Sequence, residues 1–145
     1  MERELEFIEN LKEHIDHITL KYLCDWLRKF NSKYNWVGIY VLNDNKLVLD
    51  SFSGEKTEHE QLSLGSGLCS LAVLNNKIIN EPDVKSNSEF IACFVSTESE
   101  LVVPIRKNGK AIGEIDIDSD TKSAFTKSDE QFLSAIAEII ASKKF

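Results

Sequence analysis

The sequence has no apolar run approaching the ~20 residues that a membrane-spanning helix needs, so a chain that crosses a bilayer is not expected. Its opening, Met1-Glu2-Arg3-Glu4-Leu5-Glu6, is acidic and leads into no apolar segment, unlike a secretory signal. A basic stripe is also missing. The 17 Lys and Arg residues are spread thinly along a chain of net charge −7, which argues against nucleic acid as a partner. Cysteine is scarce and odd in number, with only Cys24, Cys69 and Cys93. That count does not suit a disulfide framework and fits free thiols in a reducing, cytoplasmic compartment. No internal repeat, low-complexity tract or linker breaks the chain.

What is present fits one domain over residues 1–145. The 42% hydrophobic and 28% charged residues are close to the globular average. A chain of this length buries roughly 70% of its unfolded surface, so neither disulfides nor a structural metal is required. His14 and His17 share a helical face without cysteine or carboxylate at zinc-site spacing, so no metal and no cofactor are expected.

Periodicity predicts one helix over the first thirty residues, with Leu5, Ile8, Leu11, Ile15, Ile18, Tyr22 and Trp26 at spacings of three and four. Trp36 to Leu42 reads as a strand, Asn43-Asp44-Asn45 as a turn, and Lys46 to Phe52 as the returning strand. Gly65-Ser66-Gly67 is a backbone hinge, Leu68 to Leu74 suits two helical turns, and Ile78-Ile79 a short strand. Glu81 to Glu89 is polar and reads as loop. Leu101 to Arg106 and Ala111 to Asp118 flank Asn108-Gly109, a strong two-residue hairpin signal. Thr126 and Asp129 form an N-cap pair before a closing helix whose apolar face is Phe132, Ile136, Ile139 and Ile140. The expectation is an α+β fold: an antiparallel sheet with N- and C-terminal helices on one face. The long middle crosses the other face as a lid over a loop-rich pocket, as functional long connections do.

Three groups of residues could carry chemistry. Cys69 opens the short helix after the hinge, where unpaired N–H groups favour an anion and lower a thiol pKa. Cys93 follows the polar loop. On spacing alone both read first as small buried hydrophobes, as most free cysteines are, and Cys24, beside Leu23 and Leu27, reads as core. Asp116 and Asp118 are two apart on a strand, so they share a face while Ile115 and Ile117 take the other. That face is either a solvated surface or a carboxylate pair in which repulsion keeps one member protonated. Glu100 precedes the antiparallel neighbour and could join them. Trp36 and Tyr40 also share a face, as core or as a pocket wall suited to a methyl group.

Asn35 to Tyr40 (Asn-Trp-Val-Gly-Ile-Tyr), Gly65 to Cys69 (Gly-Ser-Gly-Leu-Cys), Ile91-Ala92-Cys93, Ser99 to Pro104 and Ile112 to Ser119 together resemble the free methionine-R-sulfoxide reductases. These are single GAF domains turned into enzymes. The resemblance runs from about Asn35 to Phe132 in the same order. It implies a GAF-like fold, free methionine R-sulfoxide as substrate and a thioredoxin-type dithiol as reductant. On this pattern Cys93 is the catalytic thiol and Cys69 the second redox cysteine. Glu100, Asp116 and Asp118 bind the substrate ammonium and protonate the sulfoxide oxygen, and Trp36 and Tyr40 wall the methyl end. The terminal helices offer a homodimer contact.

The sequence departs from that family in four places. His59 stands where the family usually has a further, resolving cysteine, ten residues before Cys69. Glu89-Phe90 replaces Gly-His, Phe94 replaces an acidic residue, and Ser70-Leu71 is bulkier than Gly-Thr. The resolving step then falls to Cys69 or to an outside thiol. Two other readings share the fold: a GAF module that binds a small ligand with inert cysteines, and a thiol-based oxidant sensor.

Overall fold

The computed structural model describes residues 2–65, 67–88, 90 and 94–145. Among them, no helix is long and apolar enough to cross a membrane. The N-terminal segment is two helices, α1 (Glu2–His14) and α2 (Leu20–Phe30), joined by a 3-10 turn at Ile15–His17. This corrects the single helix expected there. Ile18 and Thr19 are extended, and the Thr19 hydroxyl caps α2 by accepting from Tyr22 N at 3.0 Å. The break also shifts the buried face. Phe7, Leu11, Leu23 and Leu27 enter the core, whereas Leu5 and Tyr22 are more than half exposed.

β1 (Trp36–Asn43) and β2 (Lys46–Ser53) form the first hairpin, with Asp44 at φ 55° in its turn. β3 (Gln61–Ser63) follows, then α3 (Gly67–Asn75), β4 (Ile79–Glu81) and a 3-10 turn at Val84–Ser86. β5 (Ser99–Lys107) and β6 (Lys110–Ser119) make the second hairpin, and α4 (Lys127–Lys144) closes the chain. Asn108 and Gly109 both have positive φ, 54° and 78°, as a primed hairpin turn demands. The capping box forms as read. The Thr126 hydroxyl accepts from Asp129 N, and the Asp129 carboxylate accepts from Thr126 N at 2.7 Å.

The six strands form one antiparallel sheet in the order β3-β2-β1-β6-β5-β4. The middle of the chain therefore does more than cover a face. It adds a strand to each edge of the sheet and places α3 against β5 and β6. Strand alternation divides the interior into two cores. Val37, Ile39, Leu101, Val103, Ile105, Ile115 and Ile117 meet α1, α2 and α4 on one side. Trp36, Tyr40, Leu47, Val102 and Ala111 meet Leu68, Cys69, Ala72 and Val73 of α3 on the other. The site lies in that second layer.

Candidate functional site

Strand register sets the acids in place. Asp118 on β6 pairs with Glu100 on β5 and with Trp36 on β1. One step along, Asp116 sits between Val102 and Gly38, and the next step puts Glu114 between Pro104 and Tyr40. Residues two apart point the same way, so Glu114, Asp116 and Asp118 form a row on the α3 side, with Glu100 beside it. All four are buried, at 0% to 6% exposure. Gly38 is needed in this row because the Trp36 indole lies across it. A Cβ there would meet the ring at 2.2 Å.

α3 lowers Cys69 onto the acids. Its sulfur, one Glu100 oxygen and one Asp116 oxygen all lie within 4.8 Å of one another. With Tyr40, Leu62, Gly67 and Leu68, these three line an inner cavity of about 20 Å³. On the Asp118 side, Trp36, Phe94 and Thr97 line an open cleft of about 180 Å³. The polar tips of both aromatics tie down the β2–β3 connection. Tyr40 OH donates to the His59 carbonyl at 2.8 Å, and Trp36 Nε1 donates to the Glu55 carbonyl at 2.9 Å.

Burial governs the electrostatics. It pushes Glu100 and Asp118 well above the usual carboxylate range, and the neighbouring charge of Asp116 pushes both further. Glu114 is raised in the same way by burial and then by Asp116. Asp116 is also raised by burial, but hydrogen bonds from Glu100, Cys69 and Asp118 oppose the shift. Hydrogen bonds from its neighbours thus favour the charged form of Asp116, while burial and the charge of Asp116 both oppose ionisation of Glu100, Asp118 and Glu114. No ion pair to a basic side chain relieves the four acids among the described residues.

Cys69 behaves opposite to the expectation from its place at a helix start. Its thiol is pushed well above 9, first by burial and then by the Asp116, Glu114 and Glu100 charges. Desolvation and three acids outweigh the helix end. Cys24 is fully buried in the helix-side core, its thiol pushed up to about 12 mainly by burial. That agrees with the core reading.

Of the residues singled out by sequence, Cys69, Glu100, Asp116, Asp118, Trp36 and Tyr40 converge on one face of the sheet. Cys93 lies outside the described residues, as do Ser66, Glu89, Ile91 and Ala92. Phe90 and Phe94 both pack against the cluster that holds Cys69. His14 and His17 line a groove between α1 and α2, remote from the acids. Sequence reading missed Glu114, a wholly buried acid beside Cys69. The strand alternation that joined Asp116 to Asp118 extends to it, so the signal was available.

The family model of the GAF domain matches residues 17–142. A solved type II free methionine-R-sulfoxide reductase from Thermoplasma acidophilum is 56% identical, with a TM-score of 0.85 over 92% of this chain and 94% of that one. The substrate complex of the Staphylococcus aureus enzyme is 30% identical, with a TM-score of 0.84 over 95% and 94% of the two chains. The Escherichia coli free methionine-R-sulfoxide reductase is 39% identical over 99 residues, 68% of this chain and 59% of that protein. The chain spans 59% to 66% of the length of the curated relatives it matches.

Proposed function

Because this chain belongs to the GAF-domain family of free methionine-R-sulfoxide reductases, we propose that it reduces free methionine R-sulfoxide to methionine with a thiol. The observation that carries the reading is the buried meeting of Cys69 with Glu100 and Asp116, with Asp118, Trp36 and Tyr40 on the same face. A buried acidic recess with no basic side chain paired to it among the described residues suits a substrate that brings its own cation. The ammonium group of a free amino acid supplies it.

In this reading the Cys93 thiolate attacks the sulfoxide sulfur, and a neutral carboxyl of the cluster protonates the departing oxygen. Methionine leaves, its sulfur reduced by two electrons, and Cys93 is oxidised to a sulfenic acid. The Cys69 thiol then attacks that sulfur. An S–S bond forms, the S–O bond breaks, and the thiol proton and hydroxyl depart as water. A thioredoxin-type dithiol reduces the disulfide and restores both thiols. The acids supply recognition and the proton, and Trp36 and Tyr40 pack the methyl end. The terminal helices, which carry the exposed Leu5 and Tyr22, belong to the same proposal as a homodimer contact.

The test is steady-state turnover with dithiothreitol on the two epimers of free methionine sulfoxide. Methionine should form from the R epimer and not from the S epimer. Equal rates on both, or none on either, would overturn the assignment.

A further inference from the structure

We propose that the inner cavity also binds one thiophilic divalent cation of the zinc class, held by Cys69, Glu100 and Asp116, in competition with the substrate ammonium. The competition rests on the function proposed above; the metal site does not. The cavity, about 20 Å³, is lined by all three side chains. That is the space of one small sphere, enough for a single ion, a water or the ammonium head of a substrate whose remainder lies outside it. Each side chain offers one donor atom, and the three atoms lie within 4.8 Å of one another.

Zinc takes thiolate sulfur at about 2.3 Å and carboxylate oxygen at about 2.0–2.2 Å in a tetrahedron, which sets such donors about 3.6 Å apart. The observed donor atoms, within 4.8 Å of one another, would have to draw in by up to about 1 Å to close on the ion. The Asp116 carboxyl is 1% exposed and lines the cavity, and its Oδ1 has no hydrogen-bond partner. Among the described residues no lysine, arginine or histidine pairs with it or with Glu100. Magnesium and calcium fit poorly, since they call for six or more oxygens and the cavity presents a sulfur in that set. Three protein donors leave the fourth tetrahedral position for water. Binding displaces the thiol proton of Cys69, which passes to solvent. The donors come from α3, β5 and β6, so the cation ties the helix to the sheet.

The probe is Cd2+ added to reduced protein freed of reductant, read by the ultraviolet charge-transfer band of a cadmium thiolate. One equivalent should saturate the band in the unaltered protein, in Cys24→Ser and in Cys93→Ser. Cys69→Ser should lack it, and Glu100→Gln and Asp116→Asn should each weaken binding at least about tenfold. Thermal denaturation of each variant confirms that it is folded; the two carboxamide variants keep the test informative if Cys69→Ser is not. A band that survives Cys69→Ser, or one that Glu100→Gln and Asp116→Asn leave unchanged, overturns the site. Zn2+ should also lower single-turnover methionine release, relieved by excess substrate. A cadmium band with the predicted variants in a protein that releases no methionine supports the site while overturning the reductase reading.

Discussion

Glu100 on β5 stands directly opposite Asp118 on β6, both buried, with no basic side chain paired to either among the described residues. Burial and mutual repulsion both oppose ionising the two together. With Asp116 and Glu114 they form a buried acidic row, which the proposed function assigns to the ammonium group of the substrate.

Replacing Asp116 by Asn, or Asp118 by Asn, should therefore lower turnover of methionine R-sulfoxide by about 10²–10⁴-fold. Neither change should lower the melting temperature appreciably, since each removes a buried acid that costs stability. Acetylating the amino group of the substrate should remove most activity on the unaltered protein. Equal rates on free and acetylated substrate would contradict the ammonium site.

The buried thiols should be slow to alkylate. Burial pushes the Cys24 thiol up to about 12, and burial with three nearby acids pushes the Cys69 thiol well above its ordinary value, so both favour the protonated form at pH 8. Iodoacetamide on the reduced folded protein should leave both unmodified long after an exposed model thiol has reacted, and label both after denaturation. Mass spectrometry of the digested protein distinguishes the sites. Rapid labelling of Cys69 in the folded state would contradict its burial among the acids.

Tyr34 makes a pH-dependent link to the closing helix. Its hydroxyl donates to Asp129 at 2.5 Å, and burial, reinforced by that bond, raises its pKa well above 10. The folded state therefore holds this proton more tightly than the unfolded chain. The stabilisation is full below pH ~10, the unfolded tyrosine value, and is lost as pH climbs toward the folded one. Tyr34→Phe should cost about 1 kcal/mol near neutrality and flatten the decline in melting temperature above pH ~10. An unchanged alkaline decline in Tyr34→Phe would rule the link out.

With His59 in place of an upstream thiol, Cys69 is the internal partner proposed for an oxidised Cys93. Substrate without reductant should give a Cys69–Cys93 disulfide, found as a linked peptide pair in thiol-blocked digests. The bond needs the two Cα atoms within about 7 Å. A sulfenic acid trapped on Cys93 with Cys69 freely alkylated would assign resolution to an external thiol.

Local rules carried much of this fold. Alternation put Ile115 and Ile117 on one face and Asp116 and Asp118 on the other, and the turn chemistry of Asn108-Gly109 and the Thr126–Asp129 pair acted within a few residues. The break at Thr19 was hidden because α1 and α2 feed the same core, so apolar spacing runs through it. β3, three residues long, exists through pairing with β2 and leaves no periodic trace. The site divided along the same line. Which acids share a face is a matter of strand parity, and Glu114 follows from the rule that found Asp116. The state of Cys69 does not, because its high pKa comes from burial and from acids on two other elements, which only the tertiary arrangement supplies.

The proposed activity is the reduction of one epimer of free methionine sulfoxide by a cysteine of this chain. The most direct measurement is a single turnover without any reductant, counting methionine released per chain from each epimer. About one methionine per chain is expected from the R epimer, none from the S epimer and none from Cys93→Ser, with Cys24→Ser matching the unaltered protein. Release from both epimers alike, or undiminished release by Cys93→Ser, would contradict it.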